Sequence, residues 1–185
     1  MTAPEAVFLS DGLVRLRPLG PADASPAYLS WLNDPDVLRW RGPKAFPTSS
    51  AQLADWLAAT AARGDLVLAI ETVAGGRHVG NVALNTIQWT HGTAELSIMI
   101  GARDMWGRGI GAATIALVTA HAFDSMGLRR LWAESPNPAF NRAVERQGWS
   151  AEGIKRQAFF ADGAYLDIAC WGILASEWRT RKNRP

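Results

Sequence analysis

The segment Met105-Trp-Gly-Arg-Gly-Ile-Gly-Ala-Ala113 decides how the chain can be interpreted. Three glycines at alternate positions (Gly107, Gly109, Gly111) begin an apolar, helix-periodic stretch that predicts a helix over 109–125. Glycines let main-chain N–H groups turn toward an anion, and the first turn of a helix adds free donors and partial positive charge. Arg103 and Arg108 can add charge-assisted hydrogen bonds. The segment therefore predicts a pyrophosphate site, although the same glycines could serve only a tight turn.

The same spacing also satisfies the fingerprint of a dinucleotide-binding fold. Gly107, Gly109 and Ala112 match G-x-G-x-x-A, and Glu134 stands near the place of the ribose-binding acid. That fold requires a tight turn before its glycines, whereas the preceding predicted strand ends near Gly101. It also continues with further strand–helix units, whereas the chain after Glu134 predicts one helix and a hairpin. We therefore reject the dinucleotide fold.

Hydrophobic periodicity on both sides of the loop predicts alternating strands and helices. The predicted strands cover 14–18, 66–73, 78–88, 93–100 and 128–134, and a closing hairpin covers 149–160 and 164–174. Three short helices are predicted between 20 and 60, and another helix over 139–147. This order predicts an α/β (α+β) fold with an antiparallel first half and one βαβ-like unit over 98–134.

Composition excludes several classes of protein. The 185 residues fit one domain, 1–185, with 48% hydrophobic and 19% charged residues and no apolar run long enough to span a membrane. No signal peptide is visible, and the single cysteine, Cys170, excludes an internal disulfide, so we expect a cytoplasmic protein. The net charge of +2 owes much to a basic tail, which we expect to be frayed from about 179. We expect no nucleic-acid or membrane partner, and no metal, because the three histidines lack metal-ligand spacing.

The loop and several other segments resemble the GNAT superfamily of N-acetyltransferases. The superfamily pattern is Gln or Arg, two variable residues, Gly, one variable residue, and Gly or Ala; Gly109-Ile-Gly111 matches its end, with Trp106 in the first position. An aromatic-Trp-Gly-basic-Gly loop is typical of one branch, and Met105-Trp-Gly-Arg-Gly109 is similar to it. Further similarities to that branch, spread over about 14–178, are Trp31-Leu-Asn-Asp-Pro-Asp-Val37, Val79-Gly-Asn-Val82, Ala94-Glu-Leu-Ser-Ile98, Asn137, and Glu145-Arg-Gln-Gly-Trp149.

The resemblance implies a fold and a donor site. The fold is a mixed, mainly antiparallel, seven-stranded sheet with helices on both faces and a splay between its fourth and fifth strands, here 94–100 and 129–135. The donor is acetyl-CoA, which is a co-substrate and needs no metal. Its pantetheine would lie in the splay against the main chain, and its phosphates on the loop. The implied donor-binding residues are Ile98, Met99, Ile100, Arg103, Trp106, Gly107, Arg108, Gly109, Ile110, Gly111, Ala112, Asn137, Asn141 and Arg146.

The resemblance also implies the reaction, which is direct attack of a primary amine on acetyl-CoA in a ternary complex. Members of the branch acetylate the N-termini of ribosomal proteins or the amino groups of nucleotide-linked sugars. The ribosomal-protein enzymes tend to carry a Ser three residues after the Asn, a candidate acid for the departing thiolate. Here that position is Phe140, so this role cannot be carried over. A non-catalytic acyl-CoA-binding regulatory module on the same fold is therefore an alternative.

The chemistry suggests a small set of catalytic residues. An amine is mostly protonated at neutral pH, so a base is useful; Glu95, in an otherwise apolar strand, is our candidate, acting through water. An equally acceptable interpretation is a strand-edge glutamate paired with an arginine. The main-chain N–H near Met99 would stabilise the oxyanion. Tyr165, Tyr28 and Asn141 are candidate acids for the thiolate, which could also leave without one.

The acceptor should be bound between the early helices and the closing hairpin. We expect Trp31, Asp34, Trp40 and Phe160 to contact it. The nearby acids Asp34, Asp36, Asp162 and Asp167 could attract an ammonium group, whereas Arg39, Arg41 and Lys44 could meet a nucleotide phosphate. The sequence does not choose between a small amine and a peptide N-terminus. The chain has nine tryptophans, and any that are exposed would favour a homodimer.

Overall fold

The computed structural model describes residues 6–41, 46–60, 62 and 64–182. Its strands are β1 (Leu9–Ser10), β2 (Val14–Pro18), β3 (Leu66–Thr72), β4 (His78–Gln88), β5 (Thr93–Ile100), β6 (Arg130–Ser135), β7 (Ser150–Ala161) and β8 (Ala164–Leu174). Its helices are α1 (Pro26–Trp31), α2 (Pro35–Leu38), α3 (Ser50–Thr60), α4 (Ile110–Asp124), α5 (Pro138–Arg146) and α6 (Ala175–Lys182). Lys44, considered above for phosphate binding, lies outside the described residues.

The strands form one sheet in the order β1-β2-β3-β4-β5-β6-β8-β7, so the sheet has eight strands and not the seven expected. The additional strand is β1, which pairs antiparallel with β2 and sets Leu9 opposite Leu16. Two residues are too few for an alternating pattern to be visible in a sequence. The turn after β1 is held by Asp11, whose Oδ1 accepts the N–H groups of Leu13 and Val14 at 2.7 and 2.8 Å.

All neighbouring strands run antiparallel except β5 and β6. These two are parallel and are paired through only three residues each, the last being Glu95 and Trp132. The remainder of β5, from Leu96 to Ile100, is paired with β4 alone. The mixed, mainly antiparallel sheet with a splay between these strands is therefore confirmed.

The register divides the side chains between two faces of the sheet. Residues paired across neighbouring strands point to the same side, and successive residues point to opposite sides. One side, the α4 face, carries Leu96 and Ile98 of β5; on the same side Trp171 of β8 donates its indole N–H to Asn141 of α5. The other side, the α1 face, carries Glu95, Ser97 and Met99 of β5, and also Trp132 and Glu134 of β6.

Helices cover both faces of the central strands. The consecutive residues Leu68, Ala69 and Ile70 of β3 are all at most 2% exposed, which requires packing on each side of the sheet. On the α1 face, the hydroxyl of Tyr28 in α1 donates to Asn81 of β4 at 3.2 Å. The hairpin of β7 and β8 has little cover, and β7 is exposed along almost its whole length. In the described part of the chain, no helix has both the length and the apolar character that crossing a membrane requires.

The helix after the glycine-rich loop begins and ends close to its predicted limits. Gly109 is the N-cap of α4, and the helix runs from Ile110 to Asp124, against an expected 109–125. The chain end differs more from expectation, because α6 is helical as far as Lys182 although we expected fraying from about 179. Tertiary contacts hold this end: Arg179 donates to the carbonyl of Phe123 at 3.2 Å.

Candidate active site

The glycine-rich loop presents main-chain donors at the start of α4. Gly107 and Gly109 have φ of +74° and +81°, in the left-handed region that other residues rarely adopt. Gly109, the N-cap, has no side chain to cap this helix start, and the first intrahelical bond is from Ala113 N–H to the Gly109 carbonyl. The N–H groups of Ile110, Gly111 and Ala112 therefore have no partner within the helix. A Cβ placed on Gly111 would meet nothing within 4 Å, so there is open space for a ligand beside these donors.

A cleft of about 530 Å³ extends from this loop to the splay. Its volume is in the range of small-molecule sites, and its walls come from β5, α4, α5 and α2. Eleven of the fourteen residues expected to bind the donor line it: Ile98, Met99, Ile100, Trp106, Gly107, Gly109, Ile110, Gly111, Ala112, Asn137 and Arg146. Arg103, Arg108 and Asn141 are not among its lining residues.

Beyond the splay point, β5 has main-chain groups that are paired with no other strand of the described residues. Gly101 donates to the Val79 carbonyl at 2.9 Å, so the opposed residues at this level form a hydrogen-bonded pair. By alternation Met99 also directs its N–H and carbonyl toward β4, whereas Ile98 and Ile100 direct theirs toward the splay. The carbonyl of Ile100 is accordingly reached by the indole N–H of Trp106, at 2.7 Å.

The two asparagines of the α5 region have different surroundings. Asn137 lines the cleft and is the N-cap of α5, with its Oδ1 accepting the N–H of Ala139 at 2.9 Å. Asn141 uses both ends of its amide within the protein, because Oδ1 accepts from Trp171 at 3.0 Å and Nδ2 donates to the Ser135 carbonyl at 3.4 Å. Asn141 thus fixes α5 on the sheet and lies outside the cleft wall.

Arg142 and Gln147 are among the polar residues of the cleft that sequence reasoning missed. Arg142 lines the cleft together with Arg146, and their i, i+4 spacing places both on one side of α5. The i, i+4 spacing of the two arginines is visible in the sequence and could have indicated Arg142 as a partner of Arg146. Gln147 also lines the cleft and donates to the Ala112 carbonyl at 2.9 Å, which joins α5 to the first turn of α4. Nothing in the local sequence indicates this contact.

Arg103 and Arg108 are engaged by neighbouring groups beside the cleft. Arg103 forms ion pairs with Asp36 at 2.5 Å and Asp34 at 3.6 Å, and its guanidinium lies 5.8 Å from the centre of the Trp106 ring. It therefore joins α2 to the glycine-rich loop. Arg108 donates from Nε to the Asp104 carbonyl at 2.9 Å, which stabilises the loop itself.

Glu95 lies half-buried on the α1 face at the last paired position before the splay. Burial is the main cause that raises the pKa of its carboxyl, and the negative charge of Glu134 adds to the rise, while Lys155 opposes it. The alternative interpretation of Glu95, as a strand-edge glutamate with a structural role, required an arginine partner. Among the described residues, Glu95 forms no ion pair. The side chain is thus available on the face opposite α4, three residues before Ile98.

A cluster next to Glu95 was not foreseen from the sequence. Glu134 of β6 accepts a hydrogen bond from Lys155 Nζ of β7, with Nζ 2.5 Å from Oε2. The thiol of Cys170 in β8 lies 3.9 Å from the other carboxylate oxygen. These residues lie on different strands, so their proximity depends on the order β6-β8-β7.

The expected acceptor residues fall into two groups. Trp31 is buried against Gly101, where a Cβ would lie 2.1 Å from the indole ring, and its ring centre is 5.2 Å from that of His78. Asp34 caps α2 by accepting the Asp36 N–H at 2.9 Å. Trp40 lines the cleft, with the Arg39 guanidinium 5.0 Å from its ring centre.

The second group lies at the tip of the β7–β8 hairpin. Phe160 and Tyr165 contact each other with ring centres 5.2 Å apart, and both are exposed. Neither lines the cleft. The tip is joined to the first group by an ion pair between Arg39 Nε and Asp162 Oδ2 at 2.8 Å.

Tyr28, the other tyrosine considered as an acid, lies in the wall of the α1 face. It is 1% exposed, and burial raises the pKa of its hydroxyl to about 12, so the group stays protonated at neutral pH. His78, against the Tyr28 ring, has a pKa lowered mainly by burial. In the described portion of the chain no three His, Cys, Asp or Glu side chains are grouped to hold a metal ion.

Comparison with known proteins agrees with this geometry. Two relatives in Bacillus subtilis are YoaA, an uncharacterized N-acetyltransferase (26% identical over 98 residues, 52% of this chain and 55% of YoaA), and YdaF, a candidate ribosomal N-acetyltransferase (27% over 109 residues, 58% of this chain and 59% of YdaF). The matched parts thus span somewhat more than half of each relative.

Among solved structures, a spermidine N-acetyltransferase from Vibrio cholerae in complex with CoA and spermine is similar with a TM-score of 0.81. The similarity covers 91% of this chain and 99% of the other, at 22% sequence identity, and thus concerns the fold. The model of the acetyltransferase (GNAT) domain matches residues 14–150, which is well over half of the chain. The chain therefore belongs to the GNAT family of acetyltransferases.

Proposed function

We propose that this protein is an N-acetyltransferase that moves an acetyl group from acetyl-CoA to a primary amine by direct attack in a ternary complex. The observation that carries the proposal is the continuity of the cleft. It joins the N–H donors at the start of α4, which have no partner within the helix, to the part of β5 that is not paired with β6. Membership of the GNAT family supports the same donor.

The donor-binding part uses mainly main-chain groups and cations. The N–H groups of Ile110, Gly111 and Ala112 would bind the pyrophosphate, and Arg142 and Arg146 would add charge-assisted bonds. Pantetheine would pair with the main chain of Ile98 and Ile100, as an added strand does. We propose the N–H of Ile98 as the oxyanion donor, in place of the Met99 group expected from the sequence, because Met99 faces β4.

Glu95 is proposed as the general base that takes a proton from the acceptor ammonium, directly or through water. Because the pKa of Glu95 is raised, it lies closer to the pKa of an amine, and proton transfer between the two groups is easier. The nitrogen would then attack the thioester carbonyl, and the C–S bond would break as the nitrogen loses its second proton to solvent. Tyr28 is tied to Asn81, and Tyr165 lies on the exposed hairpin tip, so the thiolate is proposed to be protonated by solvent.

The acceptor class remains a small amine, an amino-sugar nucleotide or a peptide N-terminus. Similar proteins support two of these classes. One structure contains spermine, a small amine, and the name of YdaF suggests acetylation of a ribosomal protein. Half-buried Trp40 and Asp36 of α2 both line the cleft, and we propose that such an amine enters beside them. We further propose that 1–185 is one domain.

The test is release of CoA thiol from acetyl-CoA over a panel of amines, amino-sugar nucleotides and short peptides. Amine-dependent release that is lost in Glu95→Gln, with acetyl-CoA binding retained, supports the proposal. Asp55→Asn is the matched control, since it removes an exposed carboxylate of α3 outside the cleft. Binding of acetyl-CoA without release on any acceptor would favour the second candidate, a non-catalytic acyl-CoA-binding module. Phe140, which lines the cleft where related enzymes carry Ser, favours that candidate.

A further inference from the structure

Lys155 lies beside the proposed reaction centre although it is far from it in sequence. The register of β5 and β6 places Glu95 opposite Trp132. Two residues further along these parallel strands, Ser97 of β5 and Glu134 of β6 lie on either side of the splay. Glu134 is therefore one residue from the level of Ile98. The Lys155 ammonium is bonded to Glu134 at 2.5 Å on the α1 face, which is also the face of Glu95.

The surroundings of Lys155 resemble those that an acceptor amine needs. An ammonium nitrogen is held by one carboxylate, and a second, half-buried carboxylate interacts with it electrostatically. The Lys155 side chain is 53% exposed and has four flexible methylene groups, so its nitrogen can shift from Glu134 toward Glu95. The chain thus carries a primary amine of its own at the α1-face opening of the splay.

We propose that Lys155 is a self-acetylation site, at which the chain transfers acetyl from its own bound acetyl-CoA to the Lys155 side-chain nitrogen. This inference rests on the proposed function. Glu95 takes one proton from the ammonium, the nitrogen forms a bond to the thioester carbonyl carbon, and the C–S bond breaks as the nitrogen loses a second proton to solvent. CoA leaves as a thiolate and is protonated by solvent, and Glu95 returns its proton to solvent. The product is a neutral amide that can no longer pair with Glu134.

The sequence provides internal references for the test. It contains only two other lysines, Lys44 and Lys182. The hydrogen bond to Glu134 raises the pKa of Lys155. At neutral pH, the reactive unprotonated form of its side-chain nitrogen is therefore rarer than that of an ordinary lysine. Spontaneous acetylation should therefore not favour Lys155. Selective modification of this residue would require catalysis by the protein.

The experiment incubates the full chain with acetyl-CoA and no amine, and follows acetylation of each lysine by peptide mass spectrometry. We expect Lys155 to be acetylated first, at a rate unchanged by about tenfold dilution because the reaction is intramolecular. Glu95→Gln should slow it about 100-fold. Acetyl phosphate, which carries no CoA to fill the cleft, should not select Lys155. Lys155→Arg, which keeps a cation for Glu134, should remain unmodified there.

External amines assayed with the same preparation separate the two hypotheses. If amines are acetylated while Lys155 stays unmodified, or is modified no faster than Lys44 and Lys182, the self-acetylation proposal is wrong and the proposed function stands. The same conclusion follows if Glu95→Gln leaves the rate at Lys155 unchanged while it abolishes amine acetylation. If neither amines nor Lys155 gain an acetyl group, the proposed function fails, and the self-acetylation proposal fails with it.

Discussion

The donor cleft and the α1 face are built in different ways. At the proposed donor cleft the important groups are main-chain donors and acceptors, presented by the residues that follow Gly109 and by the part of β5 that is not paired with β6. On the α1 face they are side chains brought together from separate strands, as in Glu134 with Lys155. Main-chain groups belong to every residue and require only the right backbone path, whereas side-chain clusters require particular residues at particular registers. A donor common to a family is suited to the first kind of site, and an acceptor that varies is suited to the second.

The largest effect that would sharpen this comparison is expected for Glu95→Gln. The proposed base is lost, so the rate of amine acetylation at neutral pH should fall by about 100-fold or more. Affinity for acetyl-CoA, which depends on the other region, should not change. Activity of the wild type should appear as pH rises through the pKa of Glu95, because the base must be deprotonated. Since this pKa is raised, the acid limb of the kcat/KM profile should lie at higher pH than an ordinary glutamate would give. An unchanged pH profile in the variant would contradict the assignment.

The second effect concerns the charged network that supports the α1 face. Asp23 is buried and accepts hydrogen bonds from Arg17 at 2.7 and 3.0 Å and from the Gly20 N–H at 2.9 Å. Burial alone would raise its pKa, but these bonds and nearby positive charge together lower it. Asp23→Asn should reduce the free energy of unfolding by about 2 kcal/mol at neutral pH, because it leaves Arg17 without this charged partner.

The pH dependence of that effect has a definite sign. A carboxyl with a lowered folded-state pKa stabilises the protein above its ordinary pKa, and this stabilisation is lost as pH falls through the folded-state value. Urea unfolding at about pH 7 and at about pH 3 should therefore show a larger difference between wild type and Asp23→Asn at the higher pH. A difference of the same size at both pH values would show that packing, and not charge, is responsible.

A third test breaks the main-chain region with the smallest possible side chain. Gly109 and Gly127 flank the two ends of α4, with φ of +81° and +69°, and a Cβ would make no contact closer than 3.7 Å at either position. Alanine at each should cost about 1 kcal/mol of stability through backbone strain. Only Gly109→Ala should weaken acetyl-CoA binding, by about tenfold, because only Gly109 lines the cleft. Calorimetric titration with CoA distinguishes the two; equal affinities would place the phosphates elsewhere.

The smallest effect is expected at the exposed ion pair between α2 and the hairpin tip. Arg39 and Asp162 are 51% and 64% exposed, so solvent screens their attraction. Asp162→Asn should change the free energy of unfolding by about 0.5 kcal/mol or less. It serves as the matched control for Asp23→Asn, since both remove an aspartate that binds arginine. A loss as large as that of Asp23→Asn would show that the tip is structurally coupled to the core.

The sequence predicted most of the donor cleft because its features are local. Glycine spacing and helix periodicity lie within one segment, and eleven of the expected residues line the cleft, from Ile98 to Arg146. The exceptions have identifiable causes. Asn141 was expected to bind the donor, but its amide oxygen accepts the indole N–H of Trp171, thirty positions away in sequence. Met99 stands in the expected strand, but the alternation of β5 with β4 directs its main chain away from the splay.

Local patterns also left parts of the fold undetermined. Strand β1 is too short to show alternation, and α6 has few apolar residues, although hydrogen bonds from Arg179 to Phe123 of α4 and from Arg181 to Arg146 of α5 hold it in place. The residues expected to bind the acceptor also lie in separate places, since Trp40 lines the cleft and Phe160 lies at an exposed hairpin tip. Which of these meets the substrate depends on how two distant segments approach each other, and periodicity within a segment contains no such information.

By itself the sequence determined the glycine-rich loop, the helix that follows it, the run of strands and hence the family of the fold. It could do so because backbone conformation is governed by neighbouring residues and their apolar periodicity. Only the tertiary structure decided that Glu95 lies without an arginine partner in the described part of the chain, and that Lys155 and Glu134 meet beside it. Such contacts arise from strand order and register, which are set by packing across the whole sheet.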